Sequence, residues 1–324
     1  MDETESFHFI SPEGPKVYVR MWSEGGPLRD GTAKGVVLVS HGMMEHAGRY
    51  ADFATALCKA GYLVYANDLR GHGLTAPTEE ALGLPGPDAL DGMVRDMHQL
   101  RGIIEARHPG SPVFFFGHSL GSLLVQSYMS RFGAGLSGAV LCGTTGKAGP
   151  VVYLGILLAR IQMVLWGRNW RSQMLHRLTF AGYNKRFQPC RTPYDWLSGD
   201  VDAVDKYVKD PRCGFVLSTE FFYDFARFMR RLHQQSTIRA IPPDLPVYIV
   251  AGANDPVSQY GRGIQRLLRQ YAKVGIREVT HYIYPNGRHE LLNDLNRNEV
   301  IEDIVAWLDN RVAPVVASES TAGE

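Results

Sequence analysis

Three residues far apart in the chain have the types and the order that nucleophilic acyl transfer requires: Ser119, Asp255 and His289. Ser119 lies in Phe116-Gly117-His118-Ser119-Leu120-Gly121, a G-x-S-x-G pattern. Alone the pattern says little, since it arises by chance in roughly one chain in ten of this length. Its surroundings say more. Val113 to Phe116 reads as a strand and Leu120 to Phe132 as a helix, so the serine falls on a sharp turn that demands small neighbours. Such a turn presents the hydroxyl at a helix N-terminus, where the dipole favours developing negative charge. The plainer reading is a glycine-rich turn whose serine caps the helix.

A serine nucleophile needs a base to take its proton and an acid to orient that base. His289 lies in Pro285-Asn286-Gly287-Arg288-His289-Glu290, just past the run Val279 to Tyr284, whereas His281 lies inside that run. Asp255 follows the preceding run in Ala251-Gly252-Ala253-Asn254-Asp255-Pro256. Loops at the carboxyl ends of strands carry the chemistry of open α/β sheets, which selects His289 as general base and Asp255 as its orienting acid. The competing readings are a surface histidine and an Asx-turn aspartate before proline. A tetrahedral intermediate also needs N–H donors. The backbone amides of Met43, in Ser40-His41-Gly42-Met43-Met44-Glu45-His46, and of Leu120 are the candidates, unless His41-Gly42 is an ordinary strand-to-helix turn.

The elements that must position these residues follow from apolar patterning. Phe7 to Ile10 and Lys16 to Trp22 flank a Pro/Gly segment and read as an antiparallel hairpin. Val36–Val39, Tyr62–Tyr65, Val113–Phe116 and Ala139–Leu141 are continuous apolar runs, as a parallel sheet covered on both faces requires. Helical patterns at 50–60, 93–107 and 120–132 separate them, which predicts a doubly wound α/β sheet. The alternation stops from Thr144 to about Ile241 and resumes with Val247–Val250, a helix near 260–271, the run Val279–Tyr284 and a last helix near 299–308. The expected organisation is a core of 1–143 and 241–324 with an inserted helical block at 144–240, and a small, polar, disordered tail at 313–324.

Composition narrows the class. With 34 basic and 33 acidic residues there is no concentrated basic character to argue for a nucleic-acid partner. Cys58, Cys142, Cys190 and Cys213 form no C-x-x-C pair, so free thiols are expected rather than zinc or disulfides, and the chemistry calls for no metal and no cofactor. The acidic start (Asp2, Glu3, Glu5) is the reverse of a secretory leader, and the longest apolar run, Val151 to Trp166, is broken by Arg160 and Gln162. A cytoplasmic protein is expected, of open oligomeric state, a dimer included.

At this point a resemblance becomes specific. His41-Gly42 with Glu45-His46 and Arg49-Tyr50, Asp68-Leu69-Arg70-Gly71-His72-Gly73, the serine motif, Asp210-Pro211 and Gly287-Arg288-His289-Glu290-Leu291-Leu292-Asn293 together resemble the monoacylglycerol lipase and lysophospholipase group of α/β-hydrolases. The resemblance implies an α/β-hydrolase fold with an inserted cap and hydrolysis of single-chain lipid esters. It also implies that Glu45 and Arg49 form a polar network at the alcohol end of the pocket. On spacing alone they read equally as an i,i+4 pair on a solvated face. Asp68 and His72 read as structural loop residues. Met44 departs from the pattern, which carries glycine there. A small-ester carboxylesterase or an acyltransferase would use the same triad. Ser119 at the turn argues against an aspartate-nucleophile dehalogenase or epoxide hydrolase. A non-catalytic binding protein on this fold is the most distant alternative.

Val151 to Ile161 is apolar almost all round, and such a helix is normally buried. Within the inserted block it is expected to line an acyl channel as a lid. Trp166, Arg168, Trp170 and Arg171 follow it, a grouping of aromatic and basic residues that suits transient contact with anionic lipid. Burial within the cap or a dimer contact is the competing reading.

Overall fold

The structure, a computed structural model, describes residues 3–12, 14–24 and 33–312. The expected disordered tail at 313–324 lies outside the described residues.

Eight strands form one sheet in the order β1-β2-β4-β3-β5-β6-β7-β8. They are β1 (Glu5–Ile10), β2 (Lys16–Trp22), β3 (Gly35–Ser40), β4 (Tyr62–Asn67), β5 (Val113–His118), β6 (Gly138–Cys142), β7 (Val247–Gly252) and β8 (Val279–Tyr284). The pairs β1–β2 and β2–β4 are antiparallel and every other pair is parallel. The hairpin and the parallel runs read from the sequence are therefore all present. Each central strand feeds two cores, which is why its pattern is continuous rather than alternating. Val37, Val39, Phe114 and Phe116 pack on one face with α1 (Ala51–Lys59) and α10 (Arg297–Asp309). Val36, Leu38 and Phe115 pack on the other with α2 (Ala89–Arg107) and α3 (Leu120–Phe132). The edge strand β8 is the exception, with most of its residues, His281 among them, half-buried or exposed.

Between β6 and β7 the chain forms α4 (Val151–Trp166), α5 (Gln173–Phe180), α6 (Val201–Lys209), α7 (Thr219–Leu232) and α8 (Gln235–Arg239), and α9 (Arg262–Val274) follows β7. Local signals start these helices. The Ser218 hydroxyl accepts from the Phe221 amide at the head of α7, and the Asp200 carboxylate accepts from Asp202 and Ala203 at the head of α6. The buried face of α7 includes Phe221, Phe222, Phe228 and Met229.

α4 corrects the sequence reading. The helix expected to be buried has only Ala159 and Gln162 buried, while Tyr153, Leu154, Leu157, Ile161, Val164 and Leu165 are exposed, Val164 at 80%. It packs on α7 through a narrow stripe of small residues: a Cβ added at Gly155 would meet Ala226 Cβ at 3.8 Å. Among the described residues nothing covers its outer face. No helix among the described residues is long and apolar enough to cross a membrane.

Candidate active site

Ser119 stands between β5 and α3 with φ 51° and ψ −117°, a conformation that side-chain-bearing residues rarely adopt. Close packing enforces the turn. A Cβ on Gly117 would lie 2.5 Å from the Gly121 carbonyl oxygen, and one on Gly121 would lie 2.0 Å from that of Ser40. The Ser119 amide donates to the Cys142 carbonyl at 2.9 Å, tying the turn to β6. Its hydroxyl makes no capping bond to α3, so the plainer reading of a capping serine does not describe this side chain.

His289 and Asp255 come from the loops after β8 and β7. Both are buried, and Nδ1 of His289 meets Oδ1 of Asp255 at 3.0 Å. The same oxygen accepts from the Val257 amide at 2.8 Å, so Asp255 makes the Asx-type turn as well as the histidine bond. A proton on Nδ1 leaves Nε2 as the acceptor, the tautomer that a general base needs. The ring is held between His118 and Trp196, with centroids 4.8 and 5.0 Å away. Trp196 belongs to the inserted block and no sequence pattern marks it. His281 is exposed on the edge strand.

The loop after β3 is pinned from below. His41 Nε2 accepts from the Leu69 amide at 2.9 Å, so its Nδ1–H donates to the Gly42 carbonyl at 2.7 Å. Asp68 accepts from the Ala47 and Leu74 amides at 2.8 and 2.7 Å. The amides of Met43 and Leu120 are engaged by no other backbone group among the described residues. Met44 has φ 59°, a left-handed conformation in which a glycine would be unstrained. Its carbonyl accepts from the Gly214 amide and the Tyr207 hydroxyl, both at 3.0 Å, linking the loop to the inserted block.

Glu45 and Arg49 are an i,i+4 pair, 2.5 Å apart, yet they are not on a solvated face. Arg49 also grips Glu290 with two bonds of 2.8 and 2.6 Å. Oε1 of Glu45 accepts from the Gly42 amide at 2.5 Å and the Tyr50 hydroxyl at 2.8 Å, and meets His118 Nδ1 at 3.3 Å. Burial pushes the Glu45 carboxyl up, but Arg49 and His118 outweigh it and hold the group well below the usual carboxylate range. Burial pulls His118 down, but the bond and charge of Glu45 outweigh it and its value is raised. The other nitrogen of His118 faces the His289 carbonyl at 3.3 Å, so both ring nitrogens meet acceptors. Glu290 and His118 as partners of this pair escaped the sequence reading.

Glu45, His118, Ser119, His289 and Glu290 form the polar end of a cavity of about 380 Å3. The rest is chiefly apolar, from Leu154 and Leu158 of α4, Leu175 and Leu178 of α5, and Phe222, Phe225 and Met229 of α7. Met43 and Leu120 line it too, whereas Arg49 stands behind Glu45 and is absent from its lining. A few convergent polar groups in an apolar cleft are the usual form of a small-molecule site. Nearby, His46, Asp210 and Cys213 bring donor atoms within 4.8 Å of one another. His46 Nε2 pairs with Asp210 at 2.9 Å while its Nδ1 accepts from the Gly48 amide, a completed hydrogen-bond arrangement.

Comparison with known proteins places this geometry in a family. Residues 31–296 match the family described as serine aminopeptidase, S33, and the chain belongs to it. The chain is 29% identical to the monoacylglycerol lipase of Mycolicibacterium smegmatis over 95% of its own length and 98% of that protein's. It is 26% identical to the monoglyceride lipase of Homo sapiens, covering 94% and 91% of the two chains. Among solved structures, a thermostable carboxyl esterase from Bacillus coagulans in complex with glycerol superposes with a TM-score of 0.87 at 30% identity, covering 97% and 100% of the chains. The fold is that of the α/β-hydrolases, with the antiparallel hairpin at one edge of a mostly parallel sheet.

Proposed function

We propose that this chain is a serine hydrolase that cleaves the carboxylic ester of single-chain lipids, monoacylglycerols or lysophospholipids, through an acyl-enzyme on Ser119. The observation that carries the reading is a serine hydroxyl on a strained turn, free of any capping bond to its helix, sharing the polar end of an apolar cavity with His289, whose ring is held from behind by buried Asp255. The names of the relatives agree with it.

His289 Nε2 takes the Ser119 hydroxyl proton as Oγ attacks the ester carbonyl. Asp255 holds the tautomer and stabilises the imidazolium. The amides of Met43 and Leu120 donate to the tetrahedral oxyanion. Collapse breaks the ester bond, His289 returns the proton to the departing alcohol, and water attacks the acyl-enzyme by the same route. Glu45 already meets Gly42, Tyr50, His118 and Arg49, so it holds the oxyanion loop and shapes the alcohol end rather than gripping substrate hard. Arg49 acts through Glu45 and Glu290. The helices of residues 144–240 form a cap, and the acyl chain runs among the apolar residues of α4, α5 and α7. A panel of esters graded in chain length and head group tests the substrate. Long-chain monoesters should give the highest kcat/KM; a preference for short soluble esters would make this a small-ester carboxylesterase instead. Asp255→Asn should lower kcat by about 10⁴-fold by permitting the wrong tautomer.

The exposed apolar face of α4 rests transiently on the membrane that holds such substrates. Trp166 and Trp170 stack at its end, 6.3 Å between centroids, and both are more than half exposed. Replacing both by serine should lower vesicle binding and activity on vesicle-borne substrate while sparing a soluble ester. Unchanged vesicle binding would place the contact elsewhere.

A further inference from the structure

His289 is tied to Asp255 through Nδ1, and a ring held at one atom can still turn and carry Nε2 away from the nucleophile. Packing on the ring opposes that turn. His118 meets it with centroids 4.8 Å apart, and His118 is itself fixed at both nitrogens, by Glu45 and by the His289 carbonyl. A Cβ on Gly143 would lie 3.1 Å from Cε1 of His289, so the backbone after β6 closes another side. These walls belong to the loops of the sheet. The other aromatic neighbour is the indole of Trp196, with centroids 5.0 Å apart and planes inclined by 35°. That wall comes from the inserted block.

Trp196 is buried and firmly held. Tyr183 meets the indole edge-on at 4.8 Å, and Phe180 stacks on it at 6.1 Å. Its amide donates to Oδ1 of Asn184 at 2.8 Å, and Nδ2 of Asn184 donates to the Thr192 carbonyl at 2.8 Å. The residues after it are bonded to the loop that carries His289. The Glu290 amide donates to the Leu197 carbonyl at 2.7 Å, and the Arg288 guanidinium donates to the Ser198 carbonyl at 2.9 Å. The Ser198 hydroxyl donates to the Asn293 carbonyl at 2.9 Å and the Gly199 amide to Asp294 at 2.7 Å. Residues 196–199 therefore form a strap laced to the histidine loop, whereas α4 rests on α7 through small residues alone.

We propose that Trp196 is a positioning residue for the general base: the strap sets its indole against the imidazole and keeps Nε2 turned to Ser119 while the cap helices adapt to the acyl chain. The inference rests on the hydrolase reading above and deepens it. An aromatic face at this distance also favours the imidazolium that forms as Ser119 attacks. The competing role for the same side chain is a wall of the acyl channel, since Trp196 also lines the cavity. The two roles fail differently. Loss of a positioning residue lowers kcat on every ester, because each uses the same base. Loss of an acyl wall raises KM, and does so for long chains.

Separate measurement of kcat and KM on p-nitrophenyl butyrate and on a long-chain monoacylglycerol tests it. Wild type, Trp196→Leu and Trp196→Phe are compared, with thermal melts and the rate at which a fluorophosphonate labels Ser119. Trp196→Leu should lower kcat on both esters by up to about 100-fold, the scale of a misplaced catalytic group, without raising KM for the butyrate. Labelling should slow in step, because it draws on the same base. Trp196→Phe, which keeps a ring face, should recover most of the lost kcat. Trp196→Met fills the space without a ring and carries the test should the leucine variant lose its near-native melt. Wild-type kcat and labelling in a folded leucine or methionine variant overturn the proposal. So does a loss confined to KM or to the long-chain ester, or a phenylalanine variant as slow as the leucine one. Ser119→Ala active at the wild-type rate would instead sink the hydrolase reading on which the inference rests.

Discussion

The loops at the ends of the central strands and the helical block between β6 and β7 solve opposite problems. The loops bring charged and strained groups into the dry interior and hold most of them by hydrogen bonds, although Asp255 Oδ2 and His72 Nε2 meet no partner among the described residues. Glu45, Arg49, Glu290 and His118 are interlocked, and Gly117 and Gly121 permit approaches that no larger residue would. The block buries fewer charged groups, Glu220 among them, joins the core through bonds such as those to the Met44 carbonyl and to Asp294, and leaves an apolar helix face in solvent. Precision belongs to the first region and adaptability to the second, which is what chemistry at a fixed point on variable acyl chains requires.

Paired substitutions sharpen this contrast. The largest difference is expected between two glycines. Gly121→Ala drives a methyl into the Ser40 carbonyl at 2.0 Å and should destabilise by about 3 kcal/mol or more, with activity lost. Gly155→Ala on α4 meets only Ala226 at 3.8 Å and should raise stability by about 0.5–1 kcal/mol through helix propensity. Thermal melts of both decide it; equal destabilisation would mean that the block is packed as tightly as the elbow.

The next difference concerns ion pairs. Glu45→Ala leaves the Gly42 amide without its acceptor and takes one of two carboxylates from Arg49, which keeps Glu290, and should cost about 2–3 kcal/mol. Asp205→Asn breaks the pair of Arg191 with Asp205 on the block, whose side chains are 47% and 33% exposed, and should cost about 1 kcal/mol at most. A mild Glu45→Ala would show that the network is not the clamp described here.

A smaller contrast lies in pH dependence. Burial first, then the nearby His41, pull His72 down to about 3 from an ordinary value near 6.5. The folded state therefore binds fewer protons than the unfolded state between those values. Stability from this group is complete above about pH 6.5 and is lost as the pH falls toward 3. His72→Asn should flatten the fall of Tm over that range. His176→Asn on α5, whose ring is only partly buried, should change the profile little. Identical profiles for wild type and His72→Asn would contradict this assignment.

The legible parts of the molecule are those whose signal is local. A strand covered on both faces must be apolar at every position, and the turn that exposes Ser119 must be glycine on both sides, so β5, its turn and α3 are readable from a dozen residues. Asp255 and His289 follow because the sheet's connectivity fixes which loops reach its carboxyl edge. What escaped is set by long-range packing. Glu290 meets Arg49 across 241 positions, and Trp196 reaches His289 from the insertion. α4 reads as buried because its composition is apolar, but composition does not say whether a neighbour exists to cover it. Arg168 and Arg171 read as free cations for the same reason, since their partners lie on distant segments.

The central claim is that Ser119 carries the acyl group, and trapping that acyl-enzyme tests it most directly. Wild type, Ser119→Ala and Asp255→Asn are mixed with a long-chain monoacylglycerol, quenched in acid, digested and weighed by mass spectrometry. The acyl mass is predicted on the peptide containing Ser119 in wild type, and Asp255→Asn, in which acylation and deacylation both slow, should build it up far more slowly. Ser119→Ala, folded by circular dichroism, should carry none and release no fatty acid. An acyl group on another residue, or turnover by Ser119→Ala near the wild-type rate, would contradict the account.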